Sequence, residues 1–404
     1  MQRTHKIALD PNNAEATYLA RCAGTARFAY NWALHEWACQ YGAHKENPAL
    51  PKPNQTALRR QLNAIKKDEF PWMVEVSKCA PQEAIIDLGR AFQNFFSGRA
   101  AYPTFKKKGV RDSFRVSSGF FKIEHNRIRL PHIGWIKMRE SLRFGEAKIV
   151  SVTISRTADR WYASVVAELD KTERLASIDA PGNTLGIDVG VREFVCSDDT
   201  KHRLPRAYRS AERSLRRAQQ SLSKKQKGSK NRAKQRARVA KKHAKVAHVR
   251  QDWLHKLSHT LAANNAVIVI EDLNVKGMVK NHQLAKSLSD ASFGEFRRQL
   301  AYKTEELGHS LVVADRFYPS SKLCSVCGAK TKHLTLSMRK WTCLACKSEH
   351  DRDLNAAYNL KAYAASSAVS ACGELLTTEG ELPFSSPLSS RLKEAGTKHQ
   401  VCHG

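Results

Sequence analysis

Apolar residues Leu19, Phe28, Trp32, Leu34 and Trp37 recur at roughly helical intervals, and this spacing predicts helix through much of residues 11–96. Pro48, Pro51 and Pro53 interrupt the pattern, which returns at residues 56–65 and 82–96, so a small helical bundle with a proline-rich connection is expected. From 102 to about 170 the period shortens. Phe114 and Val116, Ile128 and Leu130, Val150, Val152 and Ile154, and Ala163 and Val165 stand two apart, the alternation of a small antiparallel barrel or sheet. Beyond residue 183 the pattern reads strand, hairpin, long helices, strand, helix, strand, cysteine block and helix, which suits a layered α/β unit. No internal repeat is visible.

Charge changes this picture more than length does. The 404 residues carry 68 Lys and Arg against 38 Asp and Glu, a formal +30. Seventeen of the basic residues fall in 206–250 beside one acid, Glu212, and interspersed Leu215, Ala218, Leu222, Ala233 and Val246 predict a pair of exposed helices broken near Gly228 and Ser229. Neutralising a phosphate backbone accounts for such a density better than a solvated face does. Lys106, Lys107, Lys108, Arg111 and Arg115 beside Phe105 and Phe114 form a second mixture suited to phosphate contact and base or sugar packing, although a basic sheet edge that deters aggregation has the same composition. The longest aliphatic run, 266–270, is far short of the roughly 20 residues a bilayer span needs, and residues 1–13 lack an apolar signal core. A cytosolic protein with a nucleic-acid partner and no membrane partner is expected, with a mobile tail over 366–404.

Four of the ten cysteines, Cys324, Cys327, Cys343 and Cys346, make a C-x2-C-x15-C-x2-C pattern, while Cys22, Cys39, Cys79, Cys196, Cys372 and Cys402 are scattered. Two such knuckles present four thiolates to one tetrahedral Zn²⁺ and point to a structural site. Three acidic points stand at predicted element ends. Asp188 lies in the strand of 185–190, Glu271 closes the β-branched run 266–270 with Asp272 next to it, and Asp351 and Asp353 lead into a helical pattern. Active sites of open α/β sheets gather at the carboxyl ends of strands. Asp188, Glu271 and Asp353 are 83 and 82 positions apart, so only the fold can bring them together. Asp272 and Asp351 are the alternatives at their respective points. Three converging carboxylates suit Mg²⁺ or Mn²⁺, and on so basic a chain the matching chemistry is two-metal phosphodiester hydrolysis, with ions about 3.5–4 Å apart.

Taken in order, Gly186-Ile187-Asp188-Val189-Gly190, Ile270-Glu271-Asp272-Leu273, Ser320-Ser321-Lys322-Leu323-Cys324-Ser325-Val326-Cys327-Gly328 and Asp351-Arg352-Asp353-Leu354-Asn355-Ala356-Ala357 closely resemble the TnpB family, transposon-encoded RNA-guided DNA endonucleases related to type V CRISPR effectors. The resemblance extends to Arg27-Phe28-Ala29-Tyr30-Asn31-Trp32, Tyr102-Pro103-Thr104-Phe105-Lys106-Lys107-Lys108 and Leu130-Pro131-His132-Ile133-Gly134-Trp135, covering roughly residues 1–365. It implies a mixed α/β and β multidomain chain: a wedge-like β-barrel from 1–10 and 102–180, a helical recognition lobe at 11–101, and an RNase H-like (RuvC) nuclease domain at 181–365 with a zinc-ribbon insert at about 318–350. It also implies a metal-binding triad of Asp188, Glu271 and Asp353, a guide RNA from the transposon end, and a double-stranded DNA target beside a short adjacent motif. Lys78, Gln82, Ser117 and Ser118 look similar to the motif-reading region. A monomer working with RNA near a bacterial or archaeal nucleoid is the implied setting. A guided repressor that does not cut, and an unguided RNase H-like resolvase or transposase, are the competing expectations.

Overall fold

The computed structural model describes residues 2–145, 147–169, 183–331, 334–335 and 337–374; of the tail expected to be mobile, residues 366–374 instead continue a helix and 375–404 lie outside the described residues. Helix α1, Asn13–Glu46, starts where Asn12 and Glu15 cap each other reciprocally: Glu15 N–H donates to Asn12 Oδ1 at 2.9 Å and Asn12 N–H to Glu15 Oε2 at 2.8 Å. Asn54 caps α2, Gln55–Ile65, and α3, Cys79–Phe96, follows a short 3₁₀ turn. Trp37 stacks on Phe92 at 4.1 Å, locking α1 to α3.

Seven strands follow the sequence alternation: β1 Gln2–Ala8, β2 Ser113–Ser117, β3 Lys122–Glu124, β4 Arg127–Leu130, β5 Gly134–Lys137, β6 Lys148–Thr157 and β7 Arg160–Glu168. They form an antiparallel sheet in the order β1-β7-β6-β2 and a second in the order β3-β4-β5. One isolated bridge, Leu9 to Met138, joins the two. The expected barrel is therefore not closed: among the described residues no ladder pairs β2 with β3, and β3 to β5 are only three or four residues long. Strands that short leave too few ladder positions to carry the stagger a closed barrel requires. Sheet and helices share one core, in which Ile7, Val116, Ile154 and Val165 from strands meet Leu19, Ala26, Ile85 and Leu88 from helices.

The second half contains β8 Thr184–Val189, β9 Glu193–Cys196, β10 Lys201–Arg203, α4 Ala207–Ser223, α5 Lys230–Asn264, β11 Val267–Glu271, α6 Val275–Met278, α7 His282–Ala291, α8 Phe293–Glu306, β12 Ser310–Ala314, β13 Lys340–Thr342, β14 Glu349–Asp351 and α9 Arg352–Glu374. The basic helices break as the sequence predicts, with Gly228 at φ +86° and Ser229 accepting from Arg232 N–H. Strand order is β10-β9-β8-β11-β12, antiparallel through the hairpins and parallel from β8 to β12. The apolar run of β11 is covered on both faces. Ile268 and Ile270 pack with Leu254, Leu261, Phe296 and Leu300, while Val269 packs with Leu360 of α9. Among the described residues no helix is long and apolar enough to cross a membrane.

Candidate active site and metal centre

Asp188 stands near the carboxyl end of β8, Glu271 ends the neighbouring parallel strand β11, and Asp353 lies in the first turn of α9. Gly186 makes the third element's approach possible. A Cβ there would overlap the Ala357 carbonyl oxygen and the Lys361 amide nitrogen, so the helix backbone rests directly on the strand. Two residues farther along β8, Asp188 keeps an accessible edge, but the groups packed around it desolvate its carboxyl. That burial, followed by the negative charges of Glu271 and Asp353, pushes its pKa well above the usual carboxylate range, and Arg352 and Arg339 offset the rise only partly.

The neighbouring acids are occupied elsewhere. Asp272 receives Arg297 Nη1 at 2.6 Å and Arg316 Nη2 at 2.6 Å, contacts that hold its carboxyl below the usual range. Asp351 caps α9, accepting from Asp353 N–H at 3.0 Å, and pairs with Lys201 at 3.3 Å. The acids that bear on Asp188 are thus Glu271 and Asp353. Glu271 Oε1 accepts from the Ser320 hydroxyl, and both oxygens of Asp353 accept from Arg339 Nη1, at 3.0 and 2.9 Å. With Asp353 turned to Arg339, the three acids do not gather their oxygens within 4.8 Å of one another; among the described residues only the four cysteines are so close. The donor chemistry fits a divalent cation nonetheless, because a carboxyl whose pKa is raised by burial and by two acidic neighbours marks a place short of positive charge. Beside these acids, a cleft of about 660 Å³ is lined by Arg192, Lys201, Arg206, Arg209, Arg339 and Asp353.

Cys324, Cys327, Cys343 and Cys346 are unpaired thiols whose sulfurs gather at one point, with Cys324 to Cys346 and Cys327 to Cys343 each 3.6 Å. Four Zn–S bonds of about 2.3 Å in a tetrahedron require sulfurs about 3.8 Å apart, so the residues fit zinc. Each knuckle is closed by its own backbone: Gly328 N–H donates to Cys324 O at 2.8 Å and Lys347 N–H to Cys343 O at 2.9 Å. Burial works against ionising Cys324, yet the amides of Cys327 and Val326 and the Ser348 hydroxyl hold its pKa well below the ordinary thiol range.

Two residues not expected from the sequence couple this centre to the acids. Asn355 is 1% exposed; its Nδ2 donates to Leu323 O at 2.7 Å and its Oδ1 accepts Ser325 N–H at 2.9 Å. Asn359 Nδ2 donates to Ser320 O and Leu323 O, both at 2.7 Å. Two asparagines four apart in a helix interior are poor helix formers on one face, and that was the available signal.

The expected nucleic-acid residues fall in two places. Lys78 lies over the Phe120 ring at 4.6 Å, which brings the start of α3 to the end of β2 at Ser117 and the turn that follows it at Ser118; Gln82 and Ser118 are exposed, but the Ser117 hydroxyl donates to buried Glu83 at 2.7 Å. Lys106 lies 3.9 Å over Tyr30, with Asn31 bonding both its N–H and its carbonyl, so the Tyr30-Asn31 and Lys106 segments hold each other, while Lys107 and Lys108 are exposed.

Residues 164–282 match a family model described as a probable transposase, OrfB_IS605, and residues 293–360 match the Cas12f1-like TNB domain. Residues 1–46 match a model described as a helix-turn-helix domain, although here they hold β1 and the unbroken α1. A Streptomyces pristinaespiralis protein named "Putative RNA-guided DNA endonuclease" is 36% identical over 388 residues, covering 94% of this chain and 93% of that one. InsQ of Escherichia coli K12, of the same designation, is 33% identical over 390 residues, 92% of this chain and 94% of InsQ. In fold, the chain is similar to Cas12f1 as solved in a complex with guide RNA and target DNA, with a TM-score of 0.51 at 14% identity over 86% of this chain and 83% of that one. Identity of this degree along nearly the full length of both relatives assigns the chain to their family: it belongs to the TnpB family.

Proposed function

We propose that this protein is an RNA-guided DNA endonuclease in which Asp188, Glu271 and Asp353 hold Mg²⁺ or Mn²⁺ against the scissile phosphate. The observation that carries this reading is the placement of Asp188 and Glu271 near the carboxyl ends of adjacent parallel strands, with Asp353 in the first turn of the helix packed on β8, an arrangement in which burial and the two acids raise the Asp188 pKa. When bound, paired ions would help form the attacking hydroxide and stabilise the leaving oxygen. The chain's own part is to orient them: β8 and β11 present Asp188 and Glu271 from adjacent strands, α9 brings Asp353, and Ser320 holds the Glu271 carboxylate. Arg192, Arg206 and Arg209 in the adjoining cleft would bind the phosphate backbone of the strand. Residues 11–101 are the recognition lobe in this reading, residues 1–10 and 102–180 its β partner, and residues 181–365 the RuvC-like nuclease with Zn²⁺ on its four cysteines. Guide RNA supplies sequence, and the +30 charge grips heteroduplex and displaced strand. Lys78, Gln82, Ser117 and Ser118 contact the short adjacent motif, with Lys106, Lys107 and Lys108 on phosphate.

The test is cleavage of a matched target by protein loaded with its co-purifying RNA and Mg²⁺. Asp188→Ala should lower the rate by about 10³-fold or more with guide affinity unchanged. Undiminished cleavage by that variant rejects the triad. Tight target binding without product assigns a repressor, and cleavage without RNA an unguided nuclease.

A further inference from the structure

The segment between β12 and the first zinc knuckle runs across the end of β11. Ala314 pairs with Glu271 in the ladder, Arg316 bonds Asp272 from Nε at 3.1 Å and Nη2 at 2.6 Å, and Ser320 bonds Glu271. Its backbone is fixed on both sides of residue 317. Asp315 Oδ1 accepts Phe317 N–H at 2.8 Å, Tyr318 N–H donates to Asp315 O at 3.0 Å, and the Tyr318 ring meets Tyr363 edge-on at 4.8 Å. Between these anchors the Phe317 ring is 86% exposed, the highest value among the exposed large apolar side chains of the described residues. A flexible loop could fold such a ring back against the protein; this loop holds it out.

What would cover it must have a flat apolar face and negative charge nearby. Arg297 and Arg316 share the single carboxylate of Asp272, and each keeps guanidinium donors that Asp272 does not accept. An unpaired nucleotide has both features, a base that stacks on an aromatic ring and a phosphate that takes guanidinium hydrogen bonds. We propose that Phe317 is a positioning residue, a stacking platform for one unpaired base of the strand entering the site, and that with Arg297 and Arg316 it sets the register of the phosphate presented to Glu271. This rests on the endonuclease reading above.

Two measurements on the full chain with its RNA test it. In single-turnover cleavage of a matched target, Phe317→Ala should slow the reaction about tenfold, toward the lower end of the range that loss of one base stack produces. Guide and target affinities should be unchanged, Phe317→Trp should restore the rate, and Phe317→Leu should not. Rates equal to wild type, or rescue by Leu as full as by Trp, overturn the platform. The second measurement does not need cleavage. In the Asp188→Ala background, single-stranded oligonucleotides carrying 2-aminopurine at successive positions should show one position quenched with Phe317 and released in Phe317→Ala. No quenching difference at any position also overturns it. If wild type cuts no matched target, the endonuclease reading fails while the quenching comparison still decides the platform.

Discussion

Arg339 donates to both oxygens of Asp353, so a guanidinium stands where the carboxylate would meet a divalent ion. Both are cations competing for one acceptor. The pair is partly solvated, with side-chain exposures of 64% and 30%, and such pairs contribute about 0.2–1 kcal/mol. Arg339→Ala should therefore tighten Mn²⁺ binding by up to about fivefold, read from free Mn²⁺ in an electron paramagnetic resonance titration; equal or weaker binding would show that the two do not compete. A second residue sets a pH dependence away from the site. Lys303 is buried, with its ammonium donating to His255 O at 2.6 Å and Ser258 Oγ at 2.7 Å, and burial lowers its pKa to about 8 against about 10.4 in an unfolded chain. Between those values the unfolded chain binds more protons, so this group's penalty is full below pH 8 and is relieved as pH rises toward 10. Wild type should gain melting temperature relative to Lys303→Met over that interval. Parallel profiles would mean that the ammonium is not desolvated.

At the scale of elements, the contact between β8 and α9 decides whether Asp353 reaches Asp188. Gly186→Ala puts a Cβ into the helix backbone, which cannot yield as a flexible side chain would. The substitution should cost about 1–3 kcal/mol in unfolding free energy and should depress cleavage beyond that, because the helix that retreats carries an acid. A variant with wild-type stability and rate would show that the strand and helix do not touch as described. This contact also marks what was legible in the sequence. The continuous β-branched run ending at Ile270, the break at Gly228 and the spacing of the four cysteines each depend on neighbours in the chain, and all three appear where expected. Asp351 against Asp353 was not decidable that way: which acid caps α9 and which faces Asp188 depends on the phase of one helical turn. The open seam between β2 and β3 was equally hidden, since alternation reports which face of a strand is buried but not which strand lies beside it. Arg339 acts through a partner 14 residues away, beyond the reach of any local pattern, and the spacing that marks Asn355 and Asn359 does not say that Asn359 bonds residues 36–39 positions away.

For the whole molecule, the four-cysteine cluster and the acids form one mechanical unit, while the N-terminal core stands apart from it. The helical and antiparallel parts share a core that contains none of the cysteine ligands. Ion pairs such as Arg3 with Glu306 at 2.9 Å and Lys241 with Asp159 at 2.7 Å connect that half to the second. The first knuckle, by contrast, is bonded to α9 through Asn355 and Asn359, and the residue that opens it, Ser320, holds Glu271. In the proposed reading the four thiolates share one Zn²⁺; without it they would repel one another, the knuckle would loosen, and buried Asn355 and Asn359 would lose the carbonyls they serve, at about 1–3 kcal/mol for each unsatisfied group. A chelator selective for zinc over magnesium should therefore abolish cleavage in excess Mg²⁺ and lower the melting temperature of the second half. Guide RNA should stay bound, because the basic helices α4 and α5 and the N-terminal core do not depend on the knuckles, and the retained binding should weaken steeply with salt. Added Zn²⁺ should restore cleavage where added Mg²⁺ does not. Cleavage that survives complete zinc removal would show that Glu271 and Asp353 keep their places without the ribbon, and the hydrogen bonds from Ser320, Asn355 and Asn359 would then be a consequence of the fold rather than a support for the site.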